Sequence, residues 1–408
     1  MSTPSRLLGG AKARLAQTIT EQAVRRVPVR LRYPDGREVG GGSASGPVLE
    51  IRNPEAMFQR LAEHPKIGLG EGYMSQEWTV APGTDLADAL TPFAKSLPSL
   101  FPRYLTRLRR VIDTAIPAAT RNSLRAARRN IEAHYDLSND LFEAFLDETM
   151  TYSSALFDPA VAFADQDLAE AQRRKIDAIL DLAGVGADTS LLEIGSGWRA
   201  LAIRAAQRGA RVTTITLSSE QQALARERVA AAGLSDRVEV RLQDYREVDG
   251  QFDAVVSVEM IEAVGEEYWP TYLLAIDRAL GPGGTAVIQA ITMDHQRMLA
   301  TRNSYGWIQK HIFPGGLIPS VEALRHLAHH RTGLRLVQSK AFGVHYAHTL
   351  RRWRERFLAQ WPQIADLGFD EIFRRKWEFY LAYSEAGFES GYLDVEHLVF
   401  QSPKAAIR

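Results

Sequence analysis

The sequence predicts a doubly wound α/β domain over residues 121–408, preceded by a smaller α+β module over residues 1–120. Three observations lead there. Strand and helix patterns alternate from about residue 164. The strands read as unbroken apolar runs rather than strict alternations, as parallel strands covered on both faces do. A glycine-bearing turn, Gly195-Ser196-Gly197, follows the first of these strands.

In chain order, VPVRLRY (27–33) and PVLEIRN (47–53) are short strands on either side of PDGREVGGGSASG, where Asp35-Gly36 makes a hairpin turn because glycine accepts positive φ. From about 85 to 146 the spacing turns helical, with Leu105, Leu108 and Ile112 on one face and Pro102 and Pro117 as punctuation. The α/β part opens with the helix DLAEAQRRKIDAILDLAGV. It continues as strand SLLEIGS, helix ALAIRAAQRG, strand RVTTITL, helix SSEQQALARERVAAAG and the strands VEVRLQD, FDAVVSVEM and GTAVIQAIT. No internal repeat or low-complexity tract interrupts it.

Composition narrows the function. Lys plus Arg equals Asp plus Glu at 49 each, which leaves no excess charge to hold nucleic acid by counterion release. Locally the balance breaks: Phe101 to Asn130 holds Arg103, Arg107, Arg109, Arg110, Arg121, Arg125, Arg128 and Arg129 against the single acid Asp113. The chain has no cysteine, so disulfides, thiolate nucleophiles and cysteine metal sites are excluded, and no metal is expected. The N-terminal stretch MSTPSRLLGGAKARLAQ is broken by charge and glycine before an apolar run reaches signal-peptide length, and no segment approaches ~18 apolar residues. These features predict a cytoplasmic protein that contacts a bilayer from its inner face without spanning it.

The turn Glu193-Ile194-Gly195-Ser196-Gly197-Trp198-Arg199-Ala200 sits where a doubly wound sheet binds its ligand. A dinucleotide fold would put a third glycine at Ala200 and an acid at the end of the second strand. That strand ends Thr216-Leu217-Ser218, and the first carboxylate beyond it is Glu220. NAD and FAD are disfavoured. S-adenosylmethionine, which has no phosphate, needs only close backbone approach and polar edges.

Seven stretches, HYDLSNDLF (134–142), TYSSALF (151–157), LLEIGSGW (191–198), TLSSEQ (216–221), QDYR (243–246), EMIEAVG (259–265) and HIFPGG (311–316), carry a resemblance. In order and spacing they resemble the cyclopropane fatty acid synthase family, which includes the mycolic acid cyclopropane synthases. The likeness runs on through FGVHYAHTLRRW and GYLDVEHLVF. The N-terminal part resembles the accessory domain of the phospholipid-acting members.

The resemblance implies an S-adenosyl-L-methionine-dependent enzyme that methylates the cis double bond of an unsaturated phospholipid acyl chain. Tyr152, Ser153, Gly195, Gly197, Thr216, Leu217, Gln221 and the corner Gln243-Asp244-Tyr245 would surround the cofactor. Methyl transfer leaves a carbocation, so water must be excluded and a proton removed. In the family that base is a bicarbonate held by a cysteine, a glutamate, a histidine, an isoleucine backbone and a tyrosine. The matching positions here are Ser154, Glu262, Gln289, Ile291 and Tyr346; Ser154 and Gln289 depart from the pattern. Glu148, within DETMTYSSALF (147–157), is a further departure, and the segment is expected to cover the reaction centre with Glu148 supplying or assisting the base. The altered cradle points to the branch that forms a methylene group after a hydride shift, the precursor of tuberculostearic acid. The alternatives are a cyclopropane synthase and a lipid-binding protein with a vestigial methyltransferase fold. The partners implied are an anionic membrane surface, no nucleic acid and, compatibly, a second copy of the chain.

Overall fold

The computed structural model describes residues 4–100 and 138–403. The boundary expected near residue 120 and the arginine-rich stretch 103–129 lie outside the described residues. The chain divides into two compact units. The described residues of the first are 4–100, 303–312 and 357–392; those of the second are 138–302, 313–356 and 393–403.

The first unit holds a four-stranded sheet in the order β2-β1-β3-β4, built from β1 (Arg30–Arg32), β2 (Glu38–Val39), β3 (Val48–Ile51) and β4 (Trp78–Val80). β1 and β2 form the hairpin anticipated at Asp35-Gly36, with Gly36 at φ +86°. Helices α1 (Pro4–Val24), α2 (Pro54–Glu63), α3 (Gly68–Met74) and α4 (Leu86–Leu100) accompany it. The unit also takes in the helix Glu371–Glu389, whose Arg375 Nε donates to the Tyr73 carbonyl at 2.7 Å and whose Phe379 meets Trp78 edge-on. Residues 303–312 and 357–392, expected in the α/β domain, belong to this unit.

The second unit is the doubly wound domain. Its seven-stranded sheet runs β10-β11-β9-β8-β5-β6-β7. The strands are β5 (Ser190–Ile194), β6 (Arg211–Thr216), β7 (Val238–Leu242), β8 (Phe252–Val258), β9 (Leu280–Thr292), β10 (Arg335–Ala341) and β11 (Asp394–Gln401). β5 lies parallel between β6 and β8, with Ile194 opposite Ile215 on one side and Ser257 on the other. β11 is antiparallel to both β9 and β10. The helices that matter here are α5 (Asn139–Phe145), α6 (Leu168–Leu182), α7 (Ala200–Gln207), α8 (Ser219–Ala231), α9 (Ile261–Val264), α10 (Trp269–Ala279), α11 (Val321–Arg331) and α12 (Gly343–Ala359), of which residues up to Arg356 belong to this unit.

Why both faces are covered is visible in two consecutive residues. Leu191 packs with Ile176, Ile179 and Leu201 of α6 and α7, while Leu192 packs with Tyr272, Ile276 and Leu324 of α10 and α11. Strand side chains alternate between faces, so an apolar run can serve two helical layers at once. Each such fully buried aliphatic side chain contributes about 1.5–3 kcal/mol relative to exposure. Asp167 caps α6 by accepting from Glu170 N at 3.0 Å, and Ser218 caps α8 by accepting from Gln221 N at 3.2 Å.

Candidate active site

The carboxyl ends of β5, β6, β8 and β9 come together along one edge of the sheet, the position where open α/β sheets bind ligands. After β5 the chain turns through Gly195 at φ +90° and Gly197 at φ +46°, with the Ile215 carbonyl accepting from Gly195 N and Ser196 N at 3.2 and 3.0 Å. A Cβ on Gly195 would come within 2.5 Å of the Met260 side chain, whereas one on Gly197 would meet nothing within 4 Å. That open space beside a bare backbone suits a ligand in close approach. The Thr216 hydroxyl donates to Gln221 Oε1 at 2.8 Å, Leu217 is half-buried next to it, and the Thr216 carbonyl accepts from Gln243 N at 3.0 Å. These residues fit a polar, phosphate-free nucleoside ligand.

At the corner beyond Gln243 it is the Tyr245 ring that differs from the expectation. Asp244 is held by Arg246 through Nε and Nη2 at 2.8 and 2.7 Å, and Tyr245 turns into the core against Tyr272 with ring centroids 5.0 Å apart. Its ring is a core side chain rather than an open platform. Below the glycine turn lies a polar group that the sequence did not reveal. Arg199, fully buried at φ +81°, donates to Thr214, which donates to Glu193 Oε2 at 2.6 Å. Burial pushes the Glu193 carboxyl up to about 7 and lowers Arg199 to about 10.

The segment 147–157 is a strap tied down through its own backbone. The Ser154, Ala155 and Phe157 amides donate to Glu259 Oε1, Thr349 Oγ1 and His345 Nδ1 at 2.9, 3.1 and 2.9 Å. Gln172 Nε2 donates to the Ser153 carbonyl at 2.9 Å and Lys175 Nζ to the Ser153 hydroxyl at 2.6 Å. Tyr152 stacks on Trp353 at 5.1 Å and meets Phe142 edge-on at 5.3 Å. Hydroxyl residues suit such a strap because each satisfies a neighbour without needing room for a long side chain.

Glu148 departs from its expected role. Its side chain is 71% exposed and pairs with Arg173 at 2.7 Å, while the adjacent Asp147 turns inward and accepts from Thr149 N. Consecutive side chains of the turn point in opposite directions, so the carboxylate nearest the motif in sequence faces solvent. The Ser154 hydroxyl donates to the Ala155 carbonyl at 3.0 Å, leaving the amide of Ser154 to face the site.

The carboxylate at the centre is Glu259, which sequence reasoning passed over. It follows β8 at φ +51°, and its own amide donates to the Gln289 carbonyl at 2.8 Å. Its Oε1 accepts from Ser154 N at 2.9 Å and Gln289 Nε2 at 2.8 Å; its Oε2 accepts from the Tyr346 hydroxyl at 2.6 Å. Gln289 is oriented in turn by His397 Nε2, 3.0 Å from its Oε1. The Gly343 amide donates to Asp394 Oδ1 at 2.7 Å, which fixes the first turn of α12 and hence Tyr346. Glu262, one turn along, accepts from Ile291 N through Oε1, while its enclosed Oε2 has no partner.

Exclusion of water raises the Glu259 carboxyl, against the opposing pull of Tyr346, Ser154 N and Gln289. Glu262 is pushed up to about 8 by the same loss of solvent and by the charge on Glu259. Burial lowers Lys175 to about 8 and the His397 ring to about 3. The arrangement sets Glu259, whose three donors favour its ionised form, beside Glu262, whose burial favours its protonated form. It does not fit a bound bicarbonate: Ser154 N, Gln289 Nε2 and Tyr346 OH are all spent on Glu259, and another anion would face its charge in a poorly solvated space.

The mycolic acid cyclopropane synthetase family matches over residues 122–398. The chain is 53% identical over 391 residues to the tuberculostearic acid methyltransferase UfaA1 of Mycobacterium tuberculosis, covering 95% of this chain and 91% of that protein. It is 32% identical over 373 residues to the cyclopropane-fatty-acyl-phospholipid synthase of Escherichia coli, covering 88% of each. Among solved structures, mycolic acid cyclopropane synthase CmaA1 complexed with SAH and CTAB superposes with a TM-score of 0.62 at 31% identity, covering 67% of this chain and 98% of that one. Motif order, sheet order and these matches agree, and the chain belongs to the mycolic acid cyclopropane synthetase family.

Proposed function

We propose that this protein is an S-adenosylmethionine-dependent methyltransferase acting on the cis double bond of an unsaturated phospholipid acyl chain, with a methylene-branched chain of the tuberculostearic acid precursor type as product. The observation that carries the reading is 53% identity over 95% of the chain to a tuberculostearic acid methyltransferase. When bound, S-adenosylmethionine supplies an electrophilic methyl whose transfer leaves a cation on the acyl chain and a thioether behind.

The residues divide into two groups. Gly195, Gly197, Thr216, Leu217, Gln221 and Gln243 would hold the cofactor, supported by the open space at Gly197 and the Thr216–Gln221 pairing. Tyr152 belongs with it through the aromatic wall that it forms with Trp353 and Phe142. That wall keeps water from a cation and offers it π faces. Ser153, tied to Lys175, holds the strap in register. Ser154, Glu262, Gln289, Ile291 and Tyr346 form the polar side, where a proton is removed.

The substrate lies in a bilayer, so the enzyme works at an anionic membrane surface on its inner face, which the arginines between 103 and 129 would contact. Among the described residues no helix is long and apolar enough to cross a membrane. A cyclopropane product is the second reading, favoured by the Escherichia coli relative. The test is to incubate the protein with S-adenosylmethionine and unsaturated phospholipid vesicles and analyse the fatty acid methyl esters by mass spectrometry and proton NMR. Olefinic methylene signals support the proposal, ring protons support the alternative, and unaltered chains refute both.

A further inference from the structure

We propose that the Glu259 carboxylate is the proton acceptor of the reaction and fills from within the chain the place that the family gives to bicarbonate. The inference rests on the methyltransferase reading above and specifies its base.

Two independent observations converge on Glu259. The first is its set of donors. Ser154 N, Gln289 Nε2 and Tyr346 OH belong to three of the five residues assigned to the anion cradle, and all three reach the two oxygens of one side chain at 2.6–2.9 Å. The remaining two, Glu262 and Ile291, bond to each other. The ring is thus complete around a carboxylate that the chain itself supplies.

The second observation is the backbone. Glu259 is one of five non-glycine residues at positive φ among the described residues. Such a conformation costs a side-chain-bearing residue of the order of 1 kcal/mol, which glycine would avoid. Strain of this kind is kept where the side chain it aims has a use. Here it swings the residue after the last paired position of β8 over the end of β9, so that its carboxylate meets Gln289, opposite Val258 in the sheet.

The chemistry balances. Methyl transfer puts the cation on the other former alkene carbon, a hydride from the methyl-bearing carbon shifts to it, and the cation now at the branch carbon loses a proton when a C–H bond of the added methyl breaks. Its electron pair becomes the new C=C bond, and the proton passes to the Glu259 carboxylate, then to solvent once the product leaves. A cation-adjacent C–H is acidic enough that a carboxylate suffices, so placement matters more than basicity. Glu262, held by the Ile291 amide with its Oε2 unpartnered, lacks the three donors that favour the charged form of Glu259. Lys175, whose charge acts on Glu259, lies behind the strap on the Ser153 hydroxyl and offsets the anion without touching it.

The test compares the unaltered protein with Glu259→Gly and Glu259→Gln. Glycine accepts φ +51° without strain, so Glu259→Gly should fold and open the cradle with its three donors freed. Carbon-13 bicarbonate is titrated into each protein and bound anion is read by carbon-13 NMR. The unaltered protein should bind none and Glu259→Gly should bind it. In parallel, turnover on unsaturated vesicles is measured in carbon-dioxide-stripped buffer and after bicarbonate is restored. The unaltered protein should be indifferent. Glu259→Gly should lose about 100-fold or more and regain about tenfold or more with bicarbonate, general-base groups being worth that much. Glu259→Gln, which keeps the cradle full, should be equally slow and unrescued. Bicarbonate binding or dependence in the unaltered protein overturns the proposal, as does undiminished stripped-buffer turnover in both variants. If the unaltered protein methylates no lipid in either buffer, the functional reading has failed, and the NMR comparison still decides whether Glu259 occupies an anion site. Should Glu259→Gly not fold, the unaltered protein and Glu259→Gln decide by the same criteria.

Discussion

The Tyr346 hydroxyl donates a 2.6 Å hydrogen bond to Glu259 Oε2, joining the first turn of α12 to the residue that leaves β8. The bond favours the ionised carboxylate, the form that can accept a proton. Tyr346→Phe removes it and raises the Glu259 pKa. The acid limb of the kcat/KM profile should move to higher pH, with turnover down about tenfold or more at neutral pH. A fall in rate without movement of that limb would assign Tyr346 a purely structural part.

Glu262 makes stability depend on pH. Its folded carboxyl, raised from the usual 4.5 to about 8, binds a proton that the unfolded chain gives up, so its contribution is complete below 4.5 and lost as pH rises to about 8. The slope is at most about 1.4 kcal/mol per pH unit. Glu193, pushed to about 7, acts in the same direction, while the depressed His345 and His397 oppose it in the acid range. The readout is therefore a difference: denaturant melts of Glu262→Gln between pH 5 and 8 should lose less stability than those of the unaltered protein. Parallel curves would place the proton elsewhere.

Gly197→Asn should abolish binding of S-adenosylmethionine and leave the fold intact. The position is open and at φ +46°, a conformation that asparagine tolerates far better than a β-branched residue. Calorimetric titration should give no heat from a protein whose circular dichroism melt is within a few degrees of normal. Normal binding would move the cofactor away from the β5 turn.

Glu148→Gln should be close to silent. An exposed pair such as Glu148–Arg173 is worth about 0.2–1 kcal/mol, and its loss should leave turnover and product unchanged. A collapse in turnover with cofactor binding retained would restore Glu148 as the base and displace Glu259.

Replacing Arg107, Arg110, Arg125 and Arg128 with Gln should weaken sedimentation with anionic vesicles and flatten its salt dependence, each basic residue near such a surface contributing about 1 kcal/mol. Unchanged sedimentation would remove this stretch from the membrane contact.

The parallel core was legible because β5, β8 and β9 contain apolar runs and Asp167 and Ser218 cap α6 and α8, and the ligand edge followed from the Gly195-Ser196-Gly197 turn. β11, which runs against its neighbours, and β10 beyond it were not. β10, RLVQSKA, is an edge strand with mostly exposed residues, and no apolar run marks it. Nor was the return of 357–392 to the first unit, because an apolar helical face does not say which neighbour buries it. Glu259 reads in sequence as one acid at the end of a strand; its meaning depends on a positive φ and on partners 105, 30 and 87 residues away. The available signal was its place, directly beyond an apolar strand of a doubly wound sheet, where ligands lie. Glu148 was misplaced because adjacency to a motif does not fix direction: Asp147 faces in and Glu148 faces out.

The reaction is followed most directly with S-adenosylmethionine deuterated in its methyl group and dioleoyl phospholipid vesicles, reading the recovered acyl chains by mass spectrometry and deuterium NMR. The added carbon should keep two of its three deuterons as an exocyclic CD2 group, the third having passed to the enzyme's base. Acyl chains without deuterium, from protein shown to bind the cofactor, would contradict it.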